Sequence, residues 1–301
     1  MTAKLLSGKE VAQAILDQAK KDATELKAKG INPKLVVLRV GEDPGSISYE
    51  KGIISTVNDV DIDFENKVFP EDVSQEEFMA TLNEFNNDKN VSGILVFKPL
   101  PAQLDEEEIK YALNTLKDPD AMNPTNLGKL MIDDARGFSP CTPEGVMEMF
   151  DYYGIDLVGK DVVVINRSVV FGKPMAMMLA SASATVTICH SKTKNLAEKC
   201  KAADIVITAT GRYGMVTPDM LGDNTIVIDV AMAQKKDKDG NFVLNEKGKK
   251  IRTGDCVEEC AEKAAMITSA TPGCGGGTGP ITSALLTKHL IKGCKMLNGL
   301  L

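Results

Sequence analysis

The chain has 301 residues, 43% of them apolar, enough to bury a large core and to form two domains. Its formal charge of −7 excludes the basic groove of a nucleic-acid-binding protein. No apolar run is long enough to span a bilayer, nothing near the N-terminus resembles a signal peptide, and seven scattered cysteines indicate free thiols in a reducing cytoplasm.

In chain order, Ser7-Gly-Lys-Glu10 is a capping box, and the helix it opens carries Val11, Ile15 and Leu26 on one stripe before Gly30 ends it. A strand is expected at 35–40, a turn at 41–45, a helix over 46–59 and a strand at 62–69. Ser74 and Glu77 cap a further helix. Residues 93–97 read as a buried strand, stopped by Pro99 and Pro101, and 105–116 as a helix with acids at its start, as the dipole favours. This alternation predicts an α/β layer rather than a sandwich. Residues 117–130 read as a Pro- and Asn-rich loop, and 140–145 as a hinge into the next helix.

The run 162–165 is apolar and β-branched, the pattern of a buried parallel strand. Asn166, Arg167 and Ser168 turn the chain, Gly172 permits close approach, and Pro174 suits the first turn of a helix running to about 183. A strand at 184–189 follows. This order is the first half of a mononucleotide-binding unit, whose helix N-terminus offers N–H groups to a pyrophosphate. Of the usual G-x-G-x-x-G only Gly172 remains. A typical NAD site has an acid after the second strand to hold the ribose hydroxyls. Here Cys189, His190 and Ser191 stand there, so a ribose phosphate is tolerated, with Arg167 and Ser191 as its candidate ligands. That favours NADP over NAD.

Further strands are expected at 203–209, 225–230 and 265–268, with a hairpin joining 242–244 to 250–252. The glycine loop within 271–280 can lie against a flat ligand or serve only as a linker. The last helix covers 281–297. Cys256 and Cys260 share a helix face, but with only His190 and His289 as imidazoles no metal site is expected.

Several segments in this order resemble the methylenetetrahydrofolate dehydrogenase/cyclohydrolase family over nearly the whole chain. They are Val40-Gly-Glu-Asp-Pro44 with Ser46 and Tyr49, Gly93-Ile-Leu-Val96 with Pro99-Leu-Pro101, and Asp118-Pro-Asp120 with Asn123. Pro140-Cys-Thr-Pro143, Arg167-Ser168 with Gly172 and Pro174, the segment 184–193, Gly254-Asp255 and Gly279-Pro-Ile-Thr282 complete the set. The resemblance implies an α/β fold in which an N-terminal catalytic α/β domain (1–143, completed by 280–301) and a Rossmann NAD(P)-binding domain (144–279) flank a substrate cleft. It implies a cytoplasmic homodimer in one-carbon metabolism that oxidises methylene-tetrahydrofolate to methenyl-tetrahydrofolate with NADP. Many members then hydrolyse that product to formyl-tetrahydrofolate.

By the same resemblance Asp120 and Tyr49 are the catalytic pair: Asp120 grips the pterin N–H groups, and Tyr49 flanks the reacting carbon. Pro99, Leu100, Gly276, Gly279, Pro280 and Ile281 line the folate side. Asn166, Arg167, Ser168, Gly172, Pro174, Ser191 and the backbone near Met232 contact NADP, with Asn166 and Ala231 standing where glycines are usual.

One departure matters. In the bifunctional enzymes a lysine lies four residues after the tyrosine, on the same helix face, and meets a glutamine ending the Gly-Ile-Leu-Val strand. Those positions hold Ile53 and Phe97. Hydride leaves the methylene carbon as the neighbouring nitrogen's lone pair moves in, so oxidation asks mainly for positioning. Hydrolysis adds water, loses a proton and protonates a nitrogen, and acid–base help there is worth about 10²–10⁴ in rate. The expectation is a dehydrogenase with weak or absent cyclohydrolase activity. Lys98, beside Phe97, is the candidate substitute; Lys51 points to the opposite helix face. Two other classes stay open: a different Rossmann oxidoreductase acting on a small acid or ketone, and a non-catalytic folate- or nucleotide-binding protein.

Overall fold

The computed structural model describes residues 3–237 and 239–301. The chain enters through a two-residue strand, β1 (Lys4–Leu5), which the apolar pattern does not announce because both side chains are exposed. Helix α1 (Gly8–Ala28) buries Val11, Ile15, Ala19, Ala23 and Leu26, a single stripe at helical spacing. Then come β2 (Lys34–Val40), α2 (Pro44–Asp59), β3 (Asp63–Phe69), α3 (Gln75–Asn87), β4 (Gly93–Val96) and α4 (Glu106–Ala112). The three strands form a parallel sheet in the order β3-β2-β4, as helical crossovers dictate. Asp43, Ser74 and Asp105 cap α2, α3 and α4 by accepting first-turn N–H groups. Val36, Leu38, Phe69, Phe78, Leu82, Ile94 and Ile109 fill the core beneath this sheet.

Residues 117–130, read as a loop, contain a helix, α5 (Pro124–Met131). The Asn side chain of the expected loop is its cap: Asn123 accepts the Thr125 N–H at 2.8 Å, and Pro124 opens the first turn. Pro and Asn here mark a helix start.

Next are α6 (Cys141–Tyr153), β5 (Asp161–Ile165), α7 (Gly172–Ser181), β6 (Thr185–Cys189), α8 (Leu196–Ala202), β7 (Ile205–Thr208) and β8 (Ile226–Asp229). Then β9 (Ala233–Gln234), β10 (Arg252–Thr253), α9 (Cys260–Lys263), β11 (Met266–Thr268) and α10 (Gly279–Leu297) complete the chain. A six-stranded parallel sheet runs β1-β11-β8-β7-β5-β6. Its interior strands are buried along their length and almost purely apolar, while the edge strand β6 is largely exposed. The strand order reverses direction at β5, whose neighbours are β6 and β7, the topological point at which such sheets bind ligands beyond their strand ends. The expected hairpin forms, with Leu244 bridged antiparallel to Lys250 and the Ile251 N–H donating to the Val243 carbonyl at 3.0 Å.

The chain divides into two compact units, residues 12–141 with 283–301, and residues 1–11 with 142–282. Residues 3–11 group with the six-stranded sheet. The cause is β1, which pairs with β11, together with fully buried Leu6, whose N–H donates to Ile267 at 2.9 Å. All seven cysteines are buried thiols. Among the described residues no helix is long and apolar enough to cross a membrane, and no cluster of three or more His, Cys, Asp or Glu residues could hold a metal.

Candidate active site

In the unit formed by 12–141 and 283–301, α2 presents Tyr49 with 42% of its surface exposed. Protein packed around the ring, and the nearby negative charge of Asp120, push the Tyr49 hydroxyl above the usual phenol range. The ring's inner neighbour is Phe97, 5.4 Å away between ring centroids and tilted by 31°. One turn along α2, Ile53 is 1% exposed. Tyr49 is thus flanked by apolar side chains at both positions where the family resemblance implies a lysine and a glutamine.

Lys98 does not fill that gap. Its ammonium is tied to the Glu106 carboxylate at the start of α4, and that pairing, with Lys110, holds Glu106 below the usual carboxylate range. It acts on Asp120 only as the weakest of several favourable influences. Lys51 is exposed. Pro99 is exposed, after a cis peptide bond with Lys98, and Leu100 is half-buried against the core.

Asp120 sits in a loop built by its neighbours. Its Oδ1 accepts the Cys141 N–H at 2.8 Å, so the carboxylate lies at the N-terminus of α6. Burial raises its pKa, opposed by the Cys141 bonds and by the His289 and Lys98 side chains. Two residues earlier, Asp118 is 1% exposed and acts as a clasp. It accepts the N–H groups of Met122 and Asn123 at 2.9 and 2.8 Å and the Asn126 amide at 2.9 Å. Burial outweighs these bonds and raises Asp118 to about 6. Lys117, 3% exposed, is satisfied by the carbonyls of Phe85, Asn86 and Asp88. Local pattern gives Asp118, Cys141 and His289 no role: Cys141 and His289 find their partners in distant segments, and Asp118 closes on residues four to eight positions along the chain.

In the unit formed by 1–11 and 142–282, the β5–α7 turn is held by Asn166. Its Oδ1 accepts the N–H groups of Ser168 and Gly172 at 2.7 and 3.2 Å, and its amide donates to the Ala209 carbonyl at 2.6 Å. Asn166 was expected to contact the cofactor, yet its side chain is spent on clasping two strand ends. Gly172 and Pro174 are buried, and a Cβ on Gly172 would meet the Asn166 carbonyl oxygen at 2.1 Å. Both shape the turn and offer a ligand no side-chain surface.

Arg167 and Ser191 are exposed, each two residues beyond the paired ends Ile165 and Cys189 of neighbouring strands. Ser168 is half-buried, and Met232 is 61% exposed. Exposed Lys192 and Lys194 add positive charge to the same turn, and no acid stands there.

Two carboxylates without a forecast role organise the neighbouring loops. Asp255 accepts the Thr208 hydroxyl at 2.6 Å and the N–H groups of Thr210 and Arg212 at 2.7 Å each. Asp229 accepts from the Ser269 hydroxyl at 2.6 Å and the Cys256 N–H at 2.9 Å. Its close neighbour Gly254 has no room for a Cβ, which would lie 2.0 Å from the Asp229 carboxylate.

The glycine loop divides by function. Gly275, at φ +88°, packs where a Cβ would meet the Leu6 carbonyl oxygen at 2.7 Å, so it is scaffold. Gly276, Gly279 and Pro280 are exposed, whereas Ile281 is fully buried and presents no surface to a folate.

Residues 6–120 match the catalytic domain of tetrahydrofolate dehydrogenase/cyclohydrolase, and residues 140–298 match the NAD(P)-binding domain. The bifunctional protein FolD of Clostridium kluyveri is 41% identical over 297 residues, covering 98% of this chain and 99% of that protein. The bifunctional FolD methylenetetrahydrofolate dehydrogenase/cyclohydrolase of Campylobacter jejuni matches with a TM-score of 0.87 at 37% identity, over 98% of this chain and 99% of the other. The Trypanosoma brucei enzyme, solved with NADP cofactor and inhibitor, gives a TM-score of 0.87 at 29% identity, over 98% of each chain.

Proposed function

The chain belongs to the tetrahydrofolate dehydrogenase/cyclohydrolase family, and we propose that it oxidises methylene-tetrahydrofolate to methenyl-tetrahydrofolate with NADP while hydrolysing that product little or not at all. The observation that carries the second half is the apolar backing of Tyr49. Ile53 and Phe97 are 1% and 5% exposed and carry no group that can take or give a proton. Oxidation survives their presence because the substrate nitrogen's lone pair drives hydride departure and no protein group need move a proton. Hydrolysis needs a base for water and an acid for the ring nitrogen, and loses about 10²–10⁴ in rate without them.

Asp120 is the anchor for the folate. A carboxylate facing the pterin amino and amide edge accepts two parallel N–H bonds, and its place at the α6 N-terminus favours the charged form that accepts them. Tyr49 walls the reacting carbon. The residues beyond β5 and β6 fit NADP: Arg167 and Ser191 suit a ribose phosphate, no acid repels it, and Ser168 and the backbone near Met232 flank the remainder. When bound, the nicotinamide accepts the hydride. Buried cysteine thiols support a reducing compartment, and the reading is completed by a cytoplasmic homodimer, as the family resemblance implies.

The test is a two-wavelength assay on purified protein with methylene-tetrahydrofolate, following reduced nicotinamide and methenyl-tetrahydrofolate together, with NADP and NAD in separate runs. One-for-one accumulation with NADP is expected. Reduced cofactor without methenyl product would mean that hydrolysis survives, and Lys98 would then be the side chain to replace. No reduced cofactor would overturn the dehydrogenase assignment.

A further inference from the structure

We infer that His289, on α10, is a positioning residue for Asp120, setting the angle at which that carboxylate meets the folate; the inference rests on the reading of Asp120 as the folate anchor. His289 is 3% exposed. Its Nδ1 lies 2.7 Å from the Pro119 carbonyl oxygen, the carbonyl of the peptide bond that leads into Asp120. A carbonyl oxygen only accepts, so this contact assigns a proton to Nδ1. The ring is steadied by Phe138, 5.6 Å away between centroids.

The same carbonyl receives the Cys141 Sγ at 3.3 Å, and Cys141 also donates its N–H to Asp120 Oδ1 at 2.8 Å. Asp120 is therefore held from two sides, its carboxylate by α6 and its entering peptide by α10. The thiol is a weak donor, so the strong half of the second tether is the imidazole N–H. Pro119 has no N–H with which to anchor itself, and Ala121, the residue after Asp120, takes a left-handed conformation at φ +53°. A loop of this shape is held by its carbonyls. With the imidazole removed, the buried Pro119 carbonyl keeps only the weak Cys141 thiol as a donor, and the peptide rotates to find a stronger one. Asp120 turns with it, while the nicotinamide side and the departing hydride are untouched.

The expected signature is a selective change in folate affinity. His289→Leu should raise the KM for methylene-tetrahydrofolate roughly tenfold, a loss typical of one buried hydrogen bond, with kcat within about twofold and the KM for NADP unchanged. His289→Asn places an amide N–H near the Nδ1 position and should restore folate KM to within about threefold of wild type. Leu290→Ala, truncating the next residue of the same helix, controls for general loosening of α10; it should lower the melting temperature and leave folate KM alone. The inference is overturned if His289→Leu keeps the wild-type KM, if His289→Asn is as impaired as His289→Leu, or if Leu290→Ala raises KM equally. Calorimetric binding of tetrahydrofolate separates it from the functional reading. Wild-type protein that binds tetrahydrofolate but reduces no NADP sinks the oxidation, and His289 is then judged on Kd. Wild-type protein that does not bind sinks the role of Asp120 and this inference together.

Discussion

Ile53 and Phe97 stand where the family resemblance implies a lysine and a glutamine, and the proposed consequence can be tested in reverse. Lysine at 53 alone would place an ammonium in a site only 1% exposed, with phenylalanine rather than glutamine at position 97. Such a group is destabilising and is held neutral by burial. Glutamine at 97 supplies the acceptor that an isolated lysine lacks. The double variant Ile53→Lys/Phe97→Gln is therefore expected to gain methenyl-tetrahydrofolate hydrolysis by at least about tenfold over wild type, part of the range open to acid–base catalysis. Ile53→Lys alone should gain little and lose stability. The disappearance of methenyl-tetrahydrofolate, followed without cofactor, measures this, and a double variant as inert as wild type would show that those two positions are not what limits hydrolysis.

At the scale of elements, the β5–α7 turn was readable because its determinants are consecutive in the chain: an apolar strand, a turn, one obligatory glycine and a proline in the helix's first turn. Asn166 has a structural role that the local pattern does not show, because the partner of its amide, Ala209, lies 43 residues on. Helix α5 was read as a loop because Pro and Asn are both loop formers and helix openers, and only the bond from the Thr125 N–H to the Asn123 side chain decides between them.

The clasp that holds this stretch, Asp118, carries a pH signature. Burial raises it to about 6, whereas an unfolded aspartate titrates near ~3.9. The native state thus binds the proton more tightly, and its contribution to stability is present below about pH 4 and lost as pH rises through about 6. Two pH units correspond to about 3 kcal/mol. Asp118→Asn does not titrate, so the stability of wild type minus that of the variant should fall by about this amount between about pH 4 and pH 7. Urea midpoints across that range provide the measurement; parallel profiles would mean that the three N–H donors keep Asp118 ionised throughout.

For the whole molecule, the two proposed ligand sets fall on different parts of the chain. Tyr49 and Asp120 belong to the unit of 12–141 and 283–301, and Arg167, Ser168, Ser191 and Met232 to that of 1–11 and 142–282. The glycine loop is the one segment whose expected ligand and whose unit disagree. It was expected to line the folate side, yet it lies in the unit that carries the cofactor residues. Packing explains only some of its glycines. A Cβ on Gly275 or Gly277 would meet the backbone of Leu6 or Ala270, while Gly276 has φ +90°, which glycine adopts readily, and open space where a Cβ would stand. Backbone free of a Cβ in this way lets a ligand approach closely. Hydrogen exchange with each ligand alone separates the alternatives. NADP should slow exchange at 167–168 and 190–193 and leave 118–123 unchanged. Tetrahydrofolate should slow exchange at 118–123 and also at 276–279. Protection of 118–123 by tetrahydrofolate with no change at 276–279 would assign the loop to scaffold alone, its exposed glycines serving only the turns that carry the chain from β11 into α10.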